Sequence, residues 1–310
     1  MPLRRVPYAG VTPVIAIGPE DDPELRAAVE AGGGSVGALE EADGLVWSGH
    51  DPGALPELPG RVRWVQLPSA GVEHWIGHLP DGPQYTSATG AFGLPVAEHA
   101  LALLLALARR IPEAARASEW EHLRPGVRSL EGAMVAIVGA GGIGRALIEL
   151  LAPLHARVLA VTRRGHPVPG AERTVPADRM EEVLREADHV VLAAPGGAGT
   201  EGMIGAQQLA WLPAHAHLVN VGRGSLLDTD ALVAALEAGR LAAAALDVTD
   251  PEPLPAGHPL WSRADVLITP HVATPPEAER RHIAARVRDN VERLGAGEPL
   301  LGLVDLDAGY

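Results

Sequence analysis

The sequence contains no cysteine. That removes disulfides, thiolate metal sites and cysteine nucleophiles together. It also contains no lysine, so all 25 basic residues are arginine, set against 39 acidic residues for a formal net charge of −14. Such a surplus of carboxylates repels phosphate backbones and anionic membrane surfaces, which argues against nucleic-acid or membrane partners. An anionic substrate must instead be drawn in locally, by a few arginines in a pocket. Aromatic residues are scarce, at 3%, so the cores are expected to be built from Leu, Val, Ile and Ala. Long apolar runs are also missing. The longest, Ala100 to Ala108, falls far short of the roughly 20 residues that cross a bilayer. The first 30 residues show no charged-then-apolar leader pattern, and the expectation is a cytoplasmic protein.

What is present is abundant aliphatic sequence. With 310 residues, 47% of them hydrophobic, the chain is long enough for two cores. Short apolar runs at Val14–Ile17, Leu45–Trp47, Val62–Gln66 and Tyr85–Ser87, with a helical stretch over Glu24–Ala31, predict a small α/β domain. A helix from Val96 to Arg109 is apolar on all sides, as a helix buried on more than one face must be. Beyond it, strands at Val135–Val138, Val158–Val161, His189–Ala193, Ala216–Val219, Leu241–Leu246 and Val266–Ile268 alternate with helices at Ile143–Leu154, Met180–Glu186 and Asp230–Ala238. Asp228 and Thr229 are available as caps for the last of these, and Gly239 stands at its C-terminal end. This alternation predicts βαβ units in a doubly wound sheet. A final helix starts at Pro275-Pro276 and places Ile283, Val287, Val291 and Leu294 on one face.

The segment Gly139-Ala-Gly141-Gly142-Ile143-Gly144 follows a buried strand and opens a helix. A GxGxxG alone is weak, but this is the context a dinucleotide site requires. Gly139 permits the tight turn, Gly141 lets the backbone approach a pyrophosphate, and Gly144 allows close helix–strand packing. The amides of Gly142 and Ile143 then face the phosphates from the helix N-terminus. About 20 positions on, where an acidic residue would hold the ribose 2′-hydroxyl of NAD, the chain has Thr162-Arg163-Arg164. Two guanidiniums suit a 2′-phosphate, which favours NADP while leaving NAD possible. The plain alternative is that both arginines face solvent.

Three polar residues each follow an apolar strand: Arg223, Glu252 and His271. Ligands of open α/β sheets sit outside the carboxyl ends of the strands, so the three are expected to share one crevice. Singly, each has a bland reading as a surface loop charge, a solvated turn or a strand-end cap. Together with Val65-Gln-Leu-Pro-Ser-Ala-Gly-Val72 and Phe92-Gly-Leu-Pro-Val-Ala-Glu-His99, and in this order, they resemble the D-isomer-specific 2-hydroxyacid dehydrogenase family over nearly the whole chain.

The resemblance implies two Rossmann-like domains. One is a discontinuous flavodoxin-like substrate domain, residues 1–95 plus 276–310, and the other an inserted dinucleotide-binding domain, residues 96–275. It implies hydride transfer between NADP(H) and C2 of a small 2-oxo acid to give a D-2-hydroxy acid, with glyoxylate and hydroxypyruvate as first candidates. In that reaction Arg223 holds carboxylate and carbonyl, His271 donates the proton, and Glu252 accepts a hydrogen bond from the imidazole. Ser69, Ala70, Gly71 and Val72 would form the substrate-carboxylate loop, against which the cleft closes. Pro195, Thr200, Val221 and Asp247 would contact the cofactor, Asp247 on the nicotinamide carboxamide side. A homodimer through the cofactor domain is also implied, with the helix after Pro95 as hinge. Thr274 stands where the family often has a small residue. The rival reading on the same fold is a non-enzymatic NAD(P) sensor or corepressor. A formate-type dehydrogenase is disfavoured, because that subgroup carries Gln at the position of Glu252. No metal site is expected, because the remaining histidines form no ligand cluster: His50, His74 and His78 lie near the presumed substrate side, where they could recognise substrate, His215 and His217 read as structural, and Gly32-Gly33-Gly34 reads as a turn.

Overall fold

The computed structural model describes residues 12–120, 126–197 and 199–306. The chain divides into two compact units, Met1–Phe92 with Pro276–Tyr310, and Gly93–Pro275. The first contains β1 (Val14–Gly18), α1 (Pro23–Ala31), β2 (Ser35–Val36), β3 (Gly44–Trp47), β4 (Trp64–Gln66) and β5 (Gln84–Thr86). The second contains α2 (Gly93–Ala108), α3 (Ile111–Arg116), β6 (Met134–Val138), α4 (Gly142–Leu151), β7 (Arg157–Thr162), β8 (Arg173–Pro176), α5 (Glu181–Leu184), β9 (His189–Leu192), α6 (Ala206–Trp211), β10 (His217–Asn220), α7 (Thr229–Glu237), β11 (Ala243–Leu246) and β12 (Val266–Ile268). The chain then returns to the first unit as α8 (Pro276–Ala296).

In the first unit the sheet order is β2-β1-β3-β4-β5, and every pairing is parallel. A parallel sheet is covered on both faces, so successive residues of one strand enter different cores. Ile15 joins Val29, Trp64, Val287, Val291 and Leu294 beneath α1 and α8, while Ala16 joins Leu45, Val65, Leu67 and Trp75 on the other side. Fully buried side chains such as Val287 and Val291 each contribute about 1.5–3 kcal/mol. Asp22 caps α1 by accepting from the amides of Glu24 and Leu25.

In the second unit the order is β8-β7-β6-β9-β10-β11-β12, again wholly parallel. This is the doubly wound order extended by one strand, and the direction of winding reverses between β6 and β9. Asp228 caps α7 through the Ala231 amide and Gly239 follows with φ +63°, as the cap residues predict. Two departures from the sequence reading have clear causes. The helix read as Ile143–Leu154 ends as an α-helix at Leu151, and its last turn, Ala152–Leu154, tightens to 3-10 geometry where Pro153 removes a donor. β8 is an edge strand of polar character, Arg173-Thr-Val-Pro176, so no apolar run announces it.

Candidate active site

The dinucleotide turn forms directly after β6, at the point where the winding reverses. Gly139 has φ +99°, and a Cβ there would lie 2.4 Å from the Ala194 amide nitrogen, so only glycine fits. Gly144 packs against the Gly139 carbonyl, 2.4 Å from where a Cβ would be. A Cβ on Gly141, by contrast, would meet nothing within 4 Å. Gly141 is the N-cap of α4 and offers no side-chain cap. The amides of Gly142, Ile143 and Gly144, in the first turn of α4, therefore lack intrahelical acceptors, and the space beside Gly141 is open. That is the shape and polarity a pyrophosphate needs.

β7 lies beside β6, with Val161 opposite Val138, and the Gly139 amide donates to the Val161 carbonyl at 2.9 Å. Thr162, Arg163 and Arg164 thus leave the sheet next to the glycine turn. Thr162 Oγ1 accepts from the Gly165 amide at 3.0 Å, which curls the segment back, and both guanidinium-bearing residues are exposed. The loop after β9 carries Pro195 and Thr200. Thr200 Oγ1 donates to the Pro195 carbonyl at 2.8 Å and to that of Gly197 at 3.1 Å. Val221, just beyond β10, is buried and donates its amide to Leu192.

Arg223, Glu252 and His271 emerge from the carboxyl ends of three adjacent strands, β10, β11 and β12. The Arg223 turn is shaped by Asn220, whose buried amide group donates to the Arg223 carbonyl at 2.8 Å and accepts from the Gly222 amide at 3.1 Å. A Cβ on Gly224 would fall 1.9 Å from the Thr249 carbonyl oxygen. Glycine at that position lets the Arg223 turn lie directly against the loop that bears Glu252. Glu252 Oε1 and His271 Nδ1 are 2.7 Å apart, with side chains 43% and 53% exposed, so the pair is reachable from solvent. His271 has φ +53°, a left-handed conformation uncommon outside glycine.

Asp247 is 2% exposed. Its carboxylate accepts from Thr269 Oγ1 at 2.6 Å and from the amides of Val272 and Ala273 at 3.0 and 3.2 Å. Burial alone would push this carboxyl up, but hydrogen bonds from His99, Thr269 and the Val272 amide outweigh it and hold it below the usual carboxylate range. Asp247 therefore faces the loop of His271. Sequence reasoning gives no role to Asn220 or Thr269, and His99 enters it only as the end of the Phe92–His99 motif. Asn220 left one signal there, a polar residue closing the apolar strand His217–Asn220.

Ser69–Val72 follows β4 at the carboxyl edge of the other unit's sheet. Ser69 Oγ donates to the Gly71 carbonyl at 2.6 Å, and Thr89 Oγ1 donates to that of Ala70 at 3.0 Å. A cavity of about 190 Å³ opens beside the ends of β3 and β4, lined by Trp47, Ser48, His50, Gln66, Pro68 and Arg280 among others. His74 and His78 are exposed and do not line it. Among the described residues no group of three or more potential metal ligands forms.

The chain matches the model for the NAD-binding domain of D-isomer-specific 2-hydroxyacid dehydrogenases over residues 101–273. It is 39% identical over 296 residues to the "uncharacterized protein in proB 3′ region" of Corynebacterium melassecola, covering 93% of this chain and 97% of that one. It is 32% identical to glyoxylate/hydroxypyruvate reductase A of Serratia proteamaculans, over 86% of this chain and 87% of that one. A D-isomer-specific 2-hydroxyacid dehydrogenase of Xanthobacter autotrophicus, solved with NADPH and MES, superposes with a TM-score of 0.82 at 29% identity, over 97% of this chain and all of that one. On this combination of doubly wound sheets, dinucleotide turn and matching sequence, the chain belongs to the D-isomer-specific 2-hydroxyacid dehydrogenase family.

Proposed function

We propose that this chain reduces a small 2-oxo acid, glyoxylate or hydroxypyruvate, to the D-2-hydroxy acid with NADPH as preferred cofactor. The observation that carries the proposal is the His271–Glu252 pair, 2.7 Å apart, at the sheet edge that also bears Arg223 and the dinucleotide turn. When bound, the reduced nicotinamide supplies hydride to C2 of the oxo acid. The charge then growing on the carbonyl oxygen is met by the proton on His271 Nε2, the ring nitrogen that Glu252 leaves available. Glu252 orients the imidazole through Nδ1 and balances the charge it carries before donation. Arg223 offers a planar fork to the substrate carboxylate and carbonyl. Gly139, Gly141, Gly142, Ile143 and Gly144 would hold the pyrophosphate, with Pro195, Thr200 and Val221 on the same edge. Arg163 and Arg164 would hold a 2′-phosphate, and Ser69–Val72 would serve the substrate carboxylate.

Three further readings accompany this one. Large apolar side chains are exposed on α2 (Leu94, Leu105), on α3 (Ile111) and just after (Trp120, Val127), which supports a homodimer through the second unit. The net charge of −14 supports a substrate partner rather than nucleic acid. Cofactor dependence supports action in the cytoplasm, and among the described residues no helix is long and apolar enough to cross a membrane.

The test of the proposal is steady-state turnover of His271→Ala and Glu252→Gln beside the parent protein. His271→Ala is expected to lower kcat by about 100-fold or more with NADPH affinity retained. Near-parental kcat in His271→Ala would overturn it.

A further inference from the structure

α2 carries a half-buried histidine in an otherwise apolar stretch. His99 Nε2 lies 3.0 Å from Thr269 Oγ1 and 3.2 Å from Asp247 Oδ1, across 170 residues of sequence. An ionised carboxylate only accepts, so the Thr269 hydroxyl hydrogen is committed to Asp247 at 2.6 Å. The Thr269 oxygen is then left as an acceptor, and His99 Nε2–H is the donor to both. Its side chain is 19% exposed and that of Asp247 is 1% exposed, so the contact is shielded from water.

This small network encloses the turn that bears His271. Thr269 stands two residues before it, and Val272 and Ala273 follow it. Their hydroxyl and amides all bond the Asp247 carboxylate. The His271 amide itself donates to the carbonyls of Asp247 and Thr269 at 2.9 and 3.0 Å. A left-handed φ of +53° at His271 persists only where the surroundings over-determine it. Every one of these bonds comes from the segment 247–273 except the two contacts made by His99. That residue sits on the helix whose first residue, Gly93, abuts the dinucleotide turn: a Cβ there would lie 2.8 Å from the Gly142 carbonyl.

We propose that His99 is a positioning residue for the reduction, holding Thr269 and Asp247 and, through them, the left-handed turn that presents His271. The proposal rests on the reading of His271 as proton donor. Removing the Nε2–H leaves a buried carboxylate one donor short and frees the turn to relax. Misplacement of a reacting group by about 1 Å costs on the order of 100-fold in rate. Glutamine, whose Nε2 can occupy the place of the histidine Nε2, is expected to restore the bond.

The test compares full-length His99→Leu and His99→Gln with the parent. Kinetics with NADPH and glyoxylate, the Kd for NADPH, and the imidazole NMR signals of His271 in histidine-labelled protein are read for each. His99→Leu is expected to lower kcat about 10- to 100-fold, leave KM and Kd within about threefold, and displace the His271 signals. His99→Gln is expected to recover kcat to within about threefold of the parent. Parental kcat with unmoved His271 signals in His99→Leu overturns the proposal. So does a loss that falls equally on NADPH binding and is not recovered by glutamine, because that marks general damage. If the parent reduces no 2-oxo acid yet His99→Leu still displaces the His271 signals, the functional reading fails and the positioning role stands.

Discussion

His189 and His217 should make the second unit sensitive to mild acid. They are paired neighbours on β9 and β10, 0% and 4% exposed, with ring centroids 5.0 Å apart. Neither ring nitrogen of His189, nor Nδ1 of His217, has a hydrogen-bond partner among the described residues. Burial pushes both down to about 4, with Asp188 opposing the shift and Arg128 and His215 adding to it. In the unfolded chain both take up protons near the ordinary value of about 6.5, but in the folded protein only near 4. Between those values the unfolded state binds more protons. The folded state is therefore fully favoured above about pH 6.5 and loses stability as pH falls toward 4. From pH 7 to pH 5 each histidine removes about 2 kcal/mol, and the pair about 4 kcal/mol, a large part of the 5–15 kcal/mol typical of a domain. Asp188 is held below its usual range, burial being outweighed by the Met134 amide and His215, so it adds nothing in this window. Urea unfolding at pH 7, 6 and 5, followed by circular dichroism, measures the slope. The parent should weaken steeply, and the double variant His189→Leu/His217→Leu should lose most of that dependence. Equal slopes in the two proteins would refute the reasoning.

Other expectations follow from the same contacts. Arg223→Ala should damage both KM for the oxo acid and kcat in steady-state assays, whereas a change confined to NADPH binding would contradict its role. Arg163→Ala/Arg164→Ala should bring the kcat/KM values for NADPH and NADH together by lowering the first, since charge-assisted bonds to a phosphate contribute about 1.5–3 kcal/mol. Gly224→Ala forces a methyl to within 1.9 Å of the Thr249 carbonyl oxygen. It should reduce both activity and thermal stability, the latter by about 2 kcal/mol or more. Trp120, 89% exposed, should become protected in a dimer, and Trp120→Glu should shift sedimentation toward the monomer.

Much of the architecture was legible because parallel strands buried on both faces leave continuous apolar runs, as at Val135–Val138 and His189–Leu192. The dinucleotide turn was legible because its glycines answer local steric demands that sequence spacing records. β8 was not, being polar and at an edge, and neither was the two-residue β2 beside β1. The short helices α3 and α6, six residues each, carry too little periodicity to read. At the site, the residue types and order pointed to Arg223, Glu252 and His271. The supporting residues escaped because their partners are remote: His99 meets Thr269 across 170 positions. Asp247 reads as a cofactor contact from the resemblance alone, and the convergence of His99, Thr269 and the Val272 and Ala273 amides on its carboxylate leaves no mark in the sequence.

The most direct test of the account is the loss of reduced-nicotinamide absorbance with NADPH and with NADH against glyoxylate, hydroxypyruvate and bulkier 2-oxo acids. Turnover of the small acids with NADPH preferred is the expected result. NADPH binding without turnover of any 2-oxo acid would contradict it and make the chain a cofactor-binding sensor instead.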